Sequence, residues 1–155
     1  MRVAGHGISI DLPAGWEARI FRREGGEPVL HAATFALHDG DGDFGVAATG
    51  RMRGDDMFAA LIQYRVEHPI EPGKGLFAPT ALPVAPKAHE FDPMQLQVTR
   101  RGQFGRQRFF SHAGLPYCLY LVIQPARQRL DRLAGELGVV LATLQLSGPA
   151  SSAAP

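Results

Sequence analysis

Cysteine is nearly absent from this chain: Cys118 is the only one in 155 residues. An intramolecular disulfide is therefore impossible, and a CxxC redox or zinc site is excluded. Lysine is almost as scarce, with only Lys74 and Lys87 among 16 basic residues, a bias that points to a GC-rich coding genome and to nothing functional. Charge of one sign is lacking too. The net charge is +1, so no global field draws the chain to nucleic acid or to an anionic membrane. No apolar run approaches the roughly 18 to 20 residues of a membrane span. The opening Met1-Arg2-Val3-Ala4-Gly5-His6-Gly7 is too short and too polar for a signal peptide, so the expected location is the cytoplasm.

Complete catalytic, metal and nucleotide motifs are also missing. Asp39, Asp41 and Asp43 alternate as calcium-loop ligands do, but Phe44 and Gly50 stand where the EF-hand needs glycine and glutamate, so the stretch reads as an acidic hairpin turn. The six histidines (His6, His31, His38, His68, His89 and His112) show no HxH or HExxH spacing. Ser111 and His112 are neighbours on one strand and point to opposite faces. Gly7-x-Ser9 lacks the second glycine of a nucleophile elbow, and His68 replaces the first glycine of a phosphate loop ending at Gly73-Lys74. Cys118 lies in an apolar strand, where an inert thiol is expected. No metal and no cofactor is expected on these grounds.

What the chain does hold is punctuation and pattern, with 18 glycines and 12 prolines dividing apolar stretches. Ile8, Ile10 and Leu12 alternate with polar residues as in a half-buried strand, and Pro13-Ala14-Gly15 turns the chain into a second strand carrying Trp16, Ala18 and Ile20. Val29 to Leu37 and Phe44 to Met52 read as a hairpin around the acidic turn. Asp55 can cap a helix that runs to Tyr64 with Phe58, Leu61 and Ile62 on one side. Five prolines between Pro69 and Pro86 make that segment a long loop, and loops of this length are often functional. Asp92-Pro93 opens a short helix through Gln97. Gln103 to His112 and Tyr117 to Ile123 form a hairpin. Leu130, Leu133, Leu137 and Leu141 make the stripe of a last helix, followed by a short strand at Leu144 and Leu146. The pattern predicts one α+β domain over 1–147, a central antiparallel sheet flanked by helices, with 148–155 as a flexible tail.

Arg100 to Phe110 interleaves arginine with aromatics, as single-stranded nucleic-acid binders do. The net charge weighs against that reading, and the order departs from the RNA-recognition signature after Gly105. In a regular strand Phe104, Arg106, Arg108 and Phe110 share one face. Such a mixture suits a partially covered surface or a protein interface, where both residue types are enriched.

The opening Leu12-Pro13-Ala14-Gly15-Trp16 and the closing Leu141-Ala142-Thr143-Leu144 resemble the Mog1/PsbP-like superfamily, whose members begin with a strand, an LPxGW turn and a second strand, and end with a long helix and a short segment. The resemblance is to a small bacterial member. It implies an α/β/α sandwich over residues 8–146 and mostly non-enzymatic roles, among them binding a small GTPase, stabilising a photosystem and chaperoning secreted effectors. It carries over no catalytic residue.

The expected function is a non-catalytic binding or accessory domain, not an enzyme, that recognises a protein partner. Its candidate contacts are Phe77 and Leu82 of the proline-rich loop and Arg106, Arg108 and Phe110 of the mixed face. A finer alternative is an adaptor or chaperone of a bacterial secretion or contractile injection system. The competing reading is a small-ligand protein or an enzyme whose site gathers His31, His112 or Asp92 from separated segments. A homodimer through an exposed sheet face or edge is compatible with the pattern.

Overall fold

The computed structural model describes residues 1–147, so the expected tail lies outside the described residues. Eight strands run in chain order as β1 (Arg2–Gly5), β2 (Ile8–Asp11), β3 (Glu17–Arg22), β4 (Pro28–Ala33), β5 (Asp56–Gln63), β6 (Phe104–His112), β7 (Leu115–Gln124) and β8 (Gln145–Leu146). Two helices accompany them, α1 (Val46–Thr49) and α2 (Leu130–Leu141), with 3-10 turns at Ala88–Glu90 and Pro93–Gln95. The strands form two antiparallel sheets, ordered β1-β2-β8 and β3-β4-β5-β7-β6.

This is a mostly β protein, which corrects the α/β/α sandwich expected from sequence. Among the described residues only α2 is a helix of seven residues or more. It lies, with the three-stranded sheet, on one face of the large sheet. Ile8, Ile10, Leu133, Leu137 and Leu141 pack there against Leu30, Ala59, Leu61, Leu119 and Leu121. The opposite face carries no long helix. It is covered by irregular chain around α1, with Leu37, Ala48 and Met52 set against Val29, Phe58, Ala60, Ile62 and Val122.

The large sheet has a core on each face. The stretch expected as a helix from Asp55 to Tyr64 is β5, the middle strand. Met57 to Ile62 are all buried, because alternate side chains enter different cores. A strand buried on both sides reads as a continuous apolar run, which periodicity cannot tell from a helix. Asp55 does cap, but for another segment: its carboxylate accepts the amides of Ala126 (2.9 Å), Arg127 (3.3 Å) and Gln128 (3.0 Å).

The strand expected from Phe44 to Met52 is also absent. Gly45 sits at φ 66° before α1, and a Cβ there would fall 2.1 Å from the Phe58 ring. Glycine in the left-handed region lets the backbone lie on the aromatic ring and start a helical turn instead of a strand.

The first two strands meet the last described one. β2 lies between β1 and β8, with Ile8 opposite Leu146, and the Asp11 amide donates to Thr143 Oγ1 at 2.9 Å. The stretches that carry the family resemblance are thus neighbours in space. None of the described helices is long and apolar enough to cross a membrane.

Candidate partner-binding surface

Every acidic turn residue has an arginine. Asp39 meets Arg19, Asp43 meets Arg23 at 3.0 Å, and Asp41 accepts both terminal nitrogens of Arg51, at 2.7 and 3.0 Å. Burial alone would push Asp41 up, but the Arg51 bonds and the His38 amide outweigh it and hold the carboxyl below its usual range. The turn is a set of ion pairs on three arginines. Among the described residues no cluster of three or more metal-ligating side chains occurs.

The residues of the enzyme reading are not brought together. His31 is buried against Phe21 and Phe58, ring centroids 5.1 and 5.2 Å away, and its Nε2 donates to the Asp43 carbonyl at 2.8 Å. Desolvation lowers its pKa. His112 ends β6 and lines a cleft of about 600 Å³ between the small sheet and the β6–β7 turn. Asp92 caps the second 3-10 turn through the Met94 amide at 2.8 Å. Cys118 is fully buried, and burial pushes its thiol up to about 12.

The mixed face of β6 is internal. Phe110 is 1 % exposed and Arg106 4 %. Arg106 Nη1 donates to the Pro83 carbonyl at 2.9 Å, and Arg106 and Arg108 share Glu90 Oε2 at 3.5 and 3.1 Å. Arg100 Nη2 is spent on the Val46 carbonyl. Arg106 and Phe110 are therefore removed from the set of partner contacts, and Arg108 is half-buried beside Glu90. The same bonds engage Arg100, Arg106 and Arg108, three of the four arginines on which a nucleic-acid reading depended, and leave Arg101 exposed. The outer edge of β6 is closed as well: the Gly105 amide donates to Asp92 O, Gln107 N to Gln95 Oε1, and Ser111 N to Pro79 O. An edge whose amides are already bonded offers fewer donors to a second copy.

What remains is the proline-rich loop. It leaves β5 at Tyr64, whose amide donates to the Pro116 carbonyl at 2.9 Å. Phe77 packs between Tyr64 and Phe109, with centroids 5.7 and 5.9 Å away, the latter edge-to-face. Two tight turns shape the tip, Lys74 N to Glu71 O and Ala78 N to Gly75 O. The descending limb is tied to β6 by the Pro79 and Pro83 carbonyls. The loop is thus held at its base and along its return, while Leu76 beside the tip is 61 % exposed.

Phe77 stands between two hollows. One, of about 530 Å³, includes Arg23, Glu24, Glu27, Tyr64, Arg65 and Glu67; the other, of about 300 Å³, lies under the tip with Ile70 and Leu76. Leu82 is elsewhere: it packs on the main core and lines the cleft that His112 borders. The structure therefore keeps Phe77 as a surface candidate, moves Leu82 to a separate hollow, and adds Tyr64 and Leu76. Read as the end of a helix, Tyr64 offered no signal. Read as a strand residue, it falls on the same side as Ile62 and Phe58.

Compared with protein-family models, curated proteins and solved structures, the chain matches none.

Proposed function

We propose that this chain is a non-catalytic binding domain that holds a protein partner on the loop around Phe77. One observation carries the reading: an irregular loop is pinned by an aromatic cluster and by hydrogen bonds to β6, yet leaves Leu76 largely in solvent. A loop ordered before binding loses little conformational freedom on association, so its exposed apolar side chains contribute more net affinity. Isolated exposed leucines are ordinary. Here the leucine lines the smaller of two hollows that share Phe77, an arrangement suited to an anchor side chain from a partner.

The test is site-specific photocross-linking. A photoreactive phenylalanine analogue at Leu76 is expected to cross-link one protein in a native lysate, and the adduct is expected to disappear in a Phe77→Ala background. Cross-links that are absent, or that persist unchanged without Phe77, would count against the reading.

The finer reading, an adaptor or chaperone of a secretion or contractile injection system, has the family resemblance behind it. It rests on the sequence of Leu12 to Trp16 and Leu141 to Leu144 alone, since the α/β/α sandwich which that resemblance implies is not the fold observed. The identity of the cross-linked protein decides it. A small-ligand reading rests on the cleft bordered by Arg2 and His112. Native mass spectrometry showing a retained small molecule would favour that reading.

A further inference from the structure

We infer that the partner segment held beside Phe77 is basic, with a large apolar side chain at its centre. The inference rests on the Phe77 loop being the binding surface and specifies the chemistry of what binds there.

The larger hollow has an aromatic wall, Tyr64 and Phe77, and a charged rim. The rim is unbalanced in a specific way. Arg23 is already committed: it pairs with Asp43 at 3.0 Å and donates to the carbonyls of Gln63 at 2.7 Å and Glu27 at 3.3 Å. Arg65 is turned onto the Gly25 carbonyl at 3.0 Å. Among the described residues Glu24, Glu27 and Glu67 have no ion pair, and only Glu27 has a side-chain partner, Gln63 Nε2 at 3.4 Å. With Arg23 neutralised by Asp43, the hollow presents three carboxylates against one guanidinium, in a chain whose net charge is +1.

Unpaired surface carboxylates cost little while they are hydrated. Covering the aromatic wall with a partner removes water from them, and a cation then replaces the lost solvation while an anion adds repulsion. Lysine and arginine also suit the wall, since their stems lie on apolar surface and their heads interact with aromatic faces. The hollow under the tip lacks this bias, because Glu71 and Lys74 pair with each other at 3.4 Å. Recognition is therefore apolar at Leu76 and Phe77, and acidic on the Glu24–Glu67 side.

A random 12-residue peptide display library panned on the full chain, with selected peptides remade for fluorescence titration, tests this. The expected winners carry lysine or arginine around an aromatic or aliphatic residue. Their affinity is expected to fall at least about tenfold in the combined E24Q/E27Q/E67Q variant and to weaken between about 0.05 and 0.5 M salt. They are also expected to lose binding in Phe77→Ala or in Leu76→Ser, the second variant guarding against misfolding of the first. Winners that need Phe77 or Leu76 but are neutral or acidic, or that ignore the triple variant, would overturn the charge inference and leave the binding surface standing. Winners indifferent to both Phe77 and Leu76, or no winners, would overturn the surface reading itself and the charge inference with it.

Discussion

Arg106, almost fully buried on β6, donates to the Pro83 carbonyl at 2.9 Å and reaches Glu90 Oε2 at 3.5 Å. One buried guanidinium thus closes the return limb of the proline-rich loop onto the sheet. Arg106→Ala strips Pro83 of its donor and empties part of the interior; the expected loss is about 2 to 4 kcal/mol. Arg108→Ala removes a half-buried partner of the same carboxylate and should cost no more than about 1 kcal/mol. Urea denaturation of the two variants checks the ratio. Equal effects would show that Arg106 is not the clasp.

His31 predicts a particular pH dependence. Desolvation depresses its pKa, opposed by the Asp43 carbonyl and by the charge of Asp41. The unfolded chain therefore binds a proton that the folded chain refuses. Stability should fall as pH drops from about 6.5 toward the lowered value, with a slope of up to about 1.4 kcal/mol per pH unit. His31→Gln should flatten this window in urea titrations at several pH values. Asp41 has the usual carboxylate sign: its lowered pKa stabilises the fold above the ordinary carboxylate value, and that contribution is lost in stronger acid.

Gly45→Ala should be among the most damaging single substitutions outside the strands. The added methyl would stand 2.1 Å from the Phe58 ring at a residue with φ 66°. Overpacking and the left-handed penalty together should cost about 3 kcal/mol or more. Gly40→Ala, which also has positive φ but meets nothing within 4 Å, should cost only the backbone part, about 1 to 2 kcal/mol. Thermal unfolding of the pair separates the steric contribution from the conformational one.

Cys118 serves as a reporter of opening. Its thiol is buried and raised to about 12, so alkylation should be negligible in the folded protein and rapid in denaturant. Fast labelling of the native chain, followed by mass spectrometry, would contradict the packing of β7.

Much of this architecture was legible in the residues. The β6–β7 hairpin, α2 with its leucine stripe, and the short last strand all follow from period and turn chemistry. β5 was not legible, because a strand buried on both faces has no alternation to display. The irregular stretch over the second core was also hidden: its course depends on Gly45 against Phe58, a contact between distant residues. β1 was missed because its four residues alternate only weakly around the His6-Gly7 turn. The proline-rich loop around Phe77 was legible from its prolines, whereas the packing of Phe77 between Tyr64 and Phe109 was not, because it joins residues distant in sequence. Arg106 and Phe110 misled, because a face that mixes arginine and phenylalanine looks the same whether solvent or a loop covers it.

Two exposed residues compared side by side decide whether the loop at Phe77 is the binding surface. Leu76 is 61 % exposed on the loop, and Val139 is 71 % exposed on α2. Once the cross-linked partner is in hand, its affinity is measured for Leu76→Ser and Val139→Ser by isothermal titration. Leu76→Ser is expected to lose about tenfold or more, consistent with a central anchor, and Val139→Ser to bind unchanged. Unchanged affinity in Leu76→Ser, or a loss confined to Val139→Ser, would contradict the surface reading.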